Sequence, residues 1–327
     1  MDASLTAEHN AMSLFPEAAA PLAAQLAPKL RALADDGIYF GTSSWKYEGW
    51  LGSIYSEDRY QTRNKLSKKK FEDTCLTEYA ETFPTVCGDF AFYQFPATEY
   101  WKKLFAQVPS TFSIGLKVPE DITVTTWPKH ARYGKRAGLE NEAFLNAKIF
   151  ETYFTERLKP FGAQVGPIIF EFATFNKSTF ATPTDFMAKI EPFLAVLPKG
   201  FRYAIELRNE NYLSPEYFDL LSSHNVAHVF NAWTRMPTLD EQAKLPGAFT
   251  AEFSVVRALL KRGRTYEDAV KTFEPYREIQ EPNEGAREGM VEIVKQARRG
   301  KKPVYLYLNN RLEGFAPGTI EAVVNDL

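Results

Sequence analysis

The stretch Arg202-Tyr-Ala-Ile-Glu206-Leu-Arg208 places a carboxylate and a guanidinium two residues apart in an otherwise apolar run. In a strand, alternate side chains share a face. Ala204, Glu206 and Arg208 then share one parity, and Tyr203, Ile205 and Leu207 share the other. Gly166–Phe172 repeats the pattern, with Ile168, Phe170 and Phe172 set against Ile169 and Glu171. Two carboxylates from neighbouring strands can divide into acid and base if their surroundings differ. Cations enter by the same parity: Lys117 closes the run Phe112–Val118, and Arg257 closes Phe249–Arg257. Lys117, Arg208 and Arg257 suit an anionic group or developing negative charge. Asn231 and Trp233, Asn309, Trp45 and Tyr93 fall at the ends of four further runs and offer carboxamides and stacking faces. For Glu206 and Arg208 the bland alternative is an ion pair plugging the interior. Each aromatic taken singly suits packing.

Such residues meet only if the runs are strands with a common direction. From Ile38 onward, short apolar runs alternate with helical stretches, which is the pattern of βα units and a parallel sheet. Eight runs qualify: Ile38–Ser43, Asp89–Phe95, Phe112–Val118, Gly166–Phe172, Phe201–Arg208, Val226–Asn231, Phe249–Arg257 and Pro303–Asn309. Helical spacing is read in Leu76–Phe83, Thr98–Phe105, Asn141–Leu158, Pro183–Leu194, Pro215–Ser223, Glu284–Arg299 and Thr319–Asn325. The connection before the seventh strand is weak, with only Asp240–Lys244 helical. Eight strands with helical crossovers in about 290 residues predict an α/β fold of TIM type, a (β/α)8 barrel, whose site lies at the C-terminal face. No GxGxxG follows the first strand, which removes support for a dinucleotide fold.

Residues 1–37 read as a separate extension ahead of a single barrel domain over 38–327. Within it, Leu22, Leu26, Leu30 and Leu33 predict an amphipathic helix from Glu17 to Asp36, ended by Gly37. Three basic segments follow strands: Ser53–Lys70, with Arg63, Lys65, Lys68, Lys69 and Lys70; Thr123–Leu139, with Lys129, His130, Arg132, Lys135 and Arg136; and Lys261–Glu278, with Arg262 and Arg264. Together over one rim they would favour an anionic partner, either a small polar ligand or a nucleotide or nucleic acid.

Composition narrows the field. Apolar residues make up 45% and charged residues 24% of 327, which excludes collagen, coiled coil and wholesale disorder. Lys and Arg number 39 against 41 Asp and Glu, a net −2, which argues against a generally basic nucleic-acid-coating protein. Cys75 and Cys87 are too few for a disulfide framework or zinc cage and fit a reducing cytoplasmic setting. No apolar run of spanning length exists, so no membrane partner is expected. The N-terminus lacks the basic and apolar regions of a signal peptide. His224 and His228 straddle a helix end and a strand start, so they do not form a metal pair. Asp89, Glu171 and Glu206 could hold Mg²⁺, but no dense carboxylate cluster demands a cofactor.

Four ordered patches resemble the YecE-like family, domain of unknown function 72. They are Gly41-Thr-Ser-Ser-Trp45-Lys-Tyr47-Glu-Gly-Trp50; Val165-Gly-Pro-Ile-Ile-Phe-Glu171-Phe172; Tyr203-Ala-Ile-Glu206-Leu-Arg208-Asn209; and Tyr305-Leu-Tyr307-Leu-Asn309-Asn310. The resemblance spans about Ile38 to the C-terminus. It implies a TIM-type barrel and no established activity. The chain departs from the family pattern at four places. Cys87-Gly88-Asp89 stands for Glu-Ile-Asn, and Glu171 stands for Gln. Asn209 replaces His, and Ala258-Leu-Leu-Lys261 follows Arg257 in place of His-Gly. On residues and resemblance together, the expectation is an enzyme using Glu206 and Glu171 as catalytic carboxylates on a small polar anionic or sugar-like ligand. The alternatives are a non-catalytic nucleotide or nucleic-acid binder and a degenerate barrel scaffold.

Overall fold

The computed structural model describes residues 21–327. Eight parallel strands close into a barrel. They are β1 (Ile38–Thr42), β2 (Thr85–Gly88), β3 (Ser113–Lys117), β4 (Val165–Glu171), β5 (Tyr203–Glu206), β6 (Ala227–Ala232), β7 (Ser254–Ala258) and β8 (Val304–Leu308). Each strand pairs with its sequence neighbours, and β1 closes on β8 with Ile38 opposite Val304 and Thr42 opposite Leu308. This is the TIM-type (β/α)8 barrel, with helices packed outside the strands.

The alternation of side chains sets two cores. Phe40, Ile114, Leu116, Ile168, Phe170, Ile205, Phe230 and Leu306 face the helices. Ile169, Ala204, Ala227, Val229, Val255, Tyr305 and Tyr307 fill the barrel. The interior stays narrow because its residues are small where others are large. A Cβ on Gly115 would lie 2.5 Å from the Tyr307 hydroxyl, so the tyrosine occupies the space that glycine leaves.

Helix boundaries follow their caps. Thr182 and Asp185 form a reciprocal capping box ahead of Pro183–Ala195. Ser214 caps Pro215–Ser223, and Asn283 caps Glu284–Arg299. The weak connection before β7 contains only the five-residue helix Leu239–Ala243. Glu284–Arg299 covers it closely, since a Cβ on Gly289 would come within 2.6 Å of Leu239. In the N-terminal extension, Leu22–Asp35 is helical, with Leu26 and Leu30 buried, and Gly37 follows at φ +80°. The expected start at Glu17 lies outside the described residues. No helix among the described residues is long and apolar enough to cross a membrane.

Two expectations are corrected. The second strand is Thr85–Gly88, not Asp89–Phe95. The chain turns at Asp89–Ala91 into a short 3-10 helix, and Phe90, Phe92 and Phe95 pack against Trp45, Tyr93 and Tyr153. The segment Ser53–Lys70 is not one loop. It contains a two-stranded hairpin, Gln61–Thr62 with Lys65–Leu66, and Lys68–Lys70 open the helix Lys68–Thr82 behind its cap Ser67.

His228 lies on the outward face of β6, ringed edge-on by Tyr217, Phe218 and Phe230. Burial pushes its pKa down from 6.5 to about 3. A neutral folded histidine that gains a proton on unfolding stabilises the fold fully above pH 6.5, and that share is lost as pH falls toward 3. Wild-type protein should therefore lose stability between about pH 6.5 and pH 4.5, where ordinary carboxylates have yet to titrate. In urea titrations across that window His228→Phe should lose less. An unchanged pH dependence in the variant would refute the assignment.

Candidate active site

β4 and β5 run in register so that Glu171 lies directly opposite Glu206. Adjacent strands are about 4.8 Å apart, and like charges so placed repel. The barrel resolves this with cations from three directions. Arg208, just past β5, donates from Nε and Nη2 to Glu206 Oε1 at 3.0 and 2.8 Å. Arg257, at the end of β7, reaches across the interior and donates to the other Glu206 oxygen and, at 2.5 Å, to Glu171 Oε2. Arg208 Nη2 also meets Glu171 Oε2 at 3.2 Å. Lys117, ending β3, meets Glu171 Oε2 at 3.0 Å and Asp89 Oδ1 at 2.8 Å. Burying charge is costly unless it is paired and hydrogen-bonded, and each of these groups is.

The pairing fixes protonation. Burial would raise the Glu171 pKa, but Lys117, Arg208 and Arg257 together overcome it and hold the carboxyl well below its usual 4.5. Burial works against the charged form of Lys117 too, and Glu171 and Asp89 outweigh it and raise its pKa. Arg257 follows the same logic, with Glu206 and Glu171 outweighing burial. Glu171 is therefore an anion and Lys117 a cation throughout the neutral range.

A cavity of about 430 Å³ opens above this floor at the C-terminal ends of the strands. Of the residues expected at the site, Glu171, Lys117, Arg208, Arg257, Asn309, Tyr93 and Trp233 line it. The Arg208 guanidinium lies 3.6 Å from the centre of the Trp233 ring, a cation–π contact that also fixes the indole. Lys117 sits 3.8 Å from the Phe92 ring centre. Tyr93 reaches the wall from a loop rather than from a strand and is 48% exposed.

Three expected residues do not reach the cavity. Glu206 is 0% exposed and lies beneath its floor, because Arg208 and Arg257 close over it. Its position is that of a carboxylate holding two guanidinium groups, not of a group touching a ligand. Asn231 is buried in the sheet, where its Nδ2 donates to the Leu207 carbonyl and Gln242 accepts its backbone N–H. Trp45 packs edge-on against Phe90 at 5.7 Å, and its carbonyl accepts the Tyr55 hydroxyl.

Sequence parity missed the walls contributed by loops. Ser43, Ser44 and Tyr47 follow β1, Tyr266 lies after β7, and Arg311 follows β8. The first and fourth patches of the family resemblance contain or adjoin four of these five. Asn209, where the family pattern has His, is tied to the backbone of Phe175 by both amide atoms and faces away from the cavity lining.

Of the basic segments, Arg132 comes to this opening, with its guanidinium 4.5 Å from the centre of the Tyr93 ring, whereas other cations pair elsewhere. Lys68 pairs with Glu48, and Arg136 with Asp121. Arg262 pairs with Glu210 and Glu241, and Arg264 with Glu281. None of these cations lines the cavity. Among the described residues no group of three or more His, Cys, Asp or Glu is placed to hold a metal ion. Both oxygens of Glu206 and Oε2 of Glu171 already face nitrogen donors.

Fold and site together define a TIM-type barrel with a charge-paired polar cavity at its C-terminal mouth. The family model described as "Protein of unknown function DUF72" matches residues 39–327, and the chain belongs to that family. Among solved structures it is similar to a DUF72 family protein from Thermotoga maritima MSB8, at 19% identity and a TM-score of 0.58, over 88% of this chain and 96% of that one. It is also similar to a DUF72 family protein from Enterococcus faecalis V583, at 18% identity and a TM-score of 0.56, over 88% of this chain and 95% of the other. At such identities the likeness shows the fold. No curated protein matches the sequence.

Removing the charge of Glu206 leaves Arg208 and Arg257 sharing a single carboxylate in the interior. Glu206→Gln should therefore cost about 3–5 kcal/mol in equilibrium urea unfolding. A loss below about 1 kcal/mol would show that Glu206 is not the anchor of the floor.

Proposed function

We propose that the cavity is the active site of an enzyme that performs acid–base chemistry on a small, hydroxylated, anionic or sugar-like ligand. The observation that carries this reading is the pair of opposite charges lining the cavity floor. Glu171 and Lys117 stand 3.0 Å apart, and both face the opening. The anion is ready to accept a hydrogen bond or proton from a ligand hydroxyl, and the ammonium is ready to donate. Glu171 is held strongly acidic at rest, which makes it a weak base. A ligand oxygen that draws Lys117 or Arg208 away would remove part of that hold and raise its basicity just where the ligand lies. Glu206 acts as a positioning residue in this scheme and keeps the two guanidinium groups at the floor. Trp233, Tyr93 and Phe92 offer flat walls suited to a sugar ring or base.

A second reading is supported by one feature. Every charged group of the floor is already paired within the protein, as a purely structural plug would be. A ligand screen separates the two. Hydroxylated sugars, sugar acids and sugar phosphates should include compounds that raise the melting temperature of the wild type, and a ligand at 100 times its Kd adds about 2.7 kcal/mol. Glu171→Gln should weaken that stabilisation. Incubation of the binding compounds with enzyme in deuterated water should lead to product or to deuterium incorporation visible by NMR. Binding with neither change would make the protein a non-catalytic binder. No stabilisation by any compound would leave the plug.

A further inference from the structure

In and around the floor of the cavity three cations meet three carboxylates: Lys117, Arg208 and Arg257 against Asp89 at the rim, Glu171 in the floor and Glu206 beneath it. The floor has no surplus charge to offer a ligand. The surplus lies on the far wall. Arg311 lines the same cavity, and among the described residues no carboxylate lies within 4.0 Å of its guanidinium. Its neighbours are aromatic. The guanidinium lies 4.4 Å from the centre of the Tyr266 ring and faces the phenols of Tyr47 and Tyr276. Burial pushes the Tyr47 phenol up to about 12, so it stays neutral and does not cancel the charge.

Asn309 and two serine hydroxyls line the cavity together with Arg311, and the Ser44 hydroxyl is hydrogen-bonded to the Tyr47 phenol. Asn309 Oδ1 accepts the Arg311 backbone N–H at 2.9 Å. Asn309 Nδ2 donates to Ser43 Oγ at 2.5 Å. Because the Ser43 oxygen already accepts that bond, its own hydroxyl proton is left to be donated. Ser44 lines the cavity beside it. These groups come from the ends of β8 and β1, which pair in the barrel wall. Loops after the last strands of such barrels are a frequent place for phosphate. Two serine hydroxyls lining the same cavity as a guanidinium with no carboxylate partner suit the terminal oxygens of a phosphate, which accept from several donors at once.

We propose that Arg311, Ser43 and Ser44 form a phosphate subsite, so that the ligand is a phosphorylated, hydroxyl-bearing compound with its phosphate on Arg311 and its body over Glu171. The assignment rests on the reading of the cavity as a ligand site, and it moves the anion from the three cations expected to hold it to one that parity did not reveal.

Calorimetric titration with inorganic phosphate, malonate and glucose 6-phosphate tests it. Wild-type protein should bind inorganic phosphate, more weakly as salt rises. Arg311→Gln should weaken that binding about tenfold or more, and Arg311→Lys should recover part of it. Glu171→Gln should retain phosphate affinity, since Glu171 pairs with Lys117, Arg208 and Arg257 and not with Arg311, and should weaken glucose 6-phosphate selectively. Equal phosphate binding in wild type and Arg311→Gln, or none in wild type, overturns the subsite. Malonate bound more tightly than phosphate, with the same dependence on Arg311, overturns phosphate as the anion. If the subsite fails while hydroxylated compounds still stabilise the wild type through Glu171, the reading of the cavity survives. If both fail, both readings fall.

Discussion

The mouth of this barrel is built around a repulsion. Parallel register sets Glu171 and Glu206 side by side on β4 and β5, where unpaired carboxylates would push the strands apart. The remedy comes from elsewhere in the ring. Arg257 spans from β7 to both acids, Arg208 folds back from the end of β5, and Lys117 closes from β3. That arrangement requires a closed, narrow barrel, and small interior residues such as Gly41, Gly115, Ala204 and Ala227 provide it. Sheet closure and charge pairing are in this sense one constraint, since neither is tenable in the interior without the other.

The consequence for chemistry is a division by depth. Glu206 lies under the floor and holds its arginines in place. Glu171 lies in the floor, with 15% of its side chain exposed, and offers its charge upward. Asp89 is 54% exposed at its side chain and caps Lys117 from the rim, the position from which an incoming anion would displace it most easily. Mutual neutralisation of the floor leaves Arg311, after β8, as the lining cation with no carboxylate partner among the described residues. Two carboxylates read from sequence as an acid and a base thus become one that lines the cavity and one buried beneath it.

Much of this was legible in the chain itself. A two-residue period puts Glu171, Lys117, Arg208, Arg257 and Asn309 on inward positions whatever the details of packing, and all five line the cavity. Depth was not legible. Glu206 and Asn231 obey the same parity, but what seals them is cross-strand contact with Arg257, Leu207 and Gln242. Asp89–Phe95 reads as strand two because its aromatic residues cluster, whereas the strand itself, the short run Thr85–Gly88, offers little pattern. The basic segments looked like one electropositive rim because their counter-charges are distant in sequence, as with Arg262 and Glu210 or Arg264 and Glu281. Arg311 and Tyr266 sit in connections, where no periodicity says which way a side chain turns.

The charge state of Glu171 concentrates the whole account in one observable. Carbon-13 NMR of the side-chain carboxyls, with the Glu171 signal assigned by its loss in Glu171→Gln, would follow it through an acid titration. The signal should stay at the position of the ionised form as pH passes the ordinary glutamate value of 4.5 and should move only well below it. A midpoint at or above 4.5 would mean that Lys117, Arg208 and Arg257 do not hold the carboxylate, and the charge-paired floor would not exist as described.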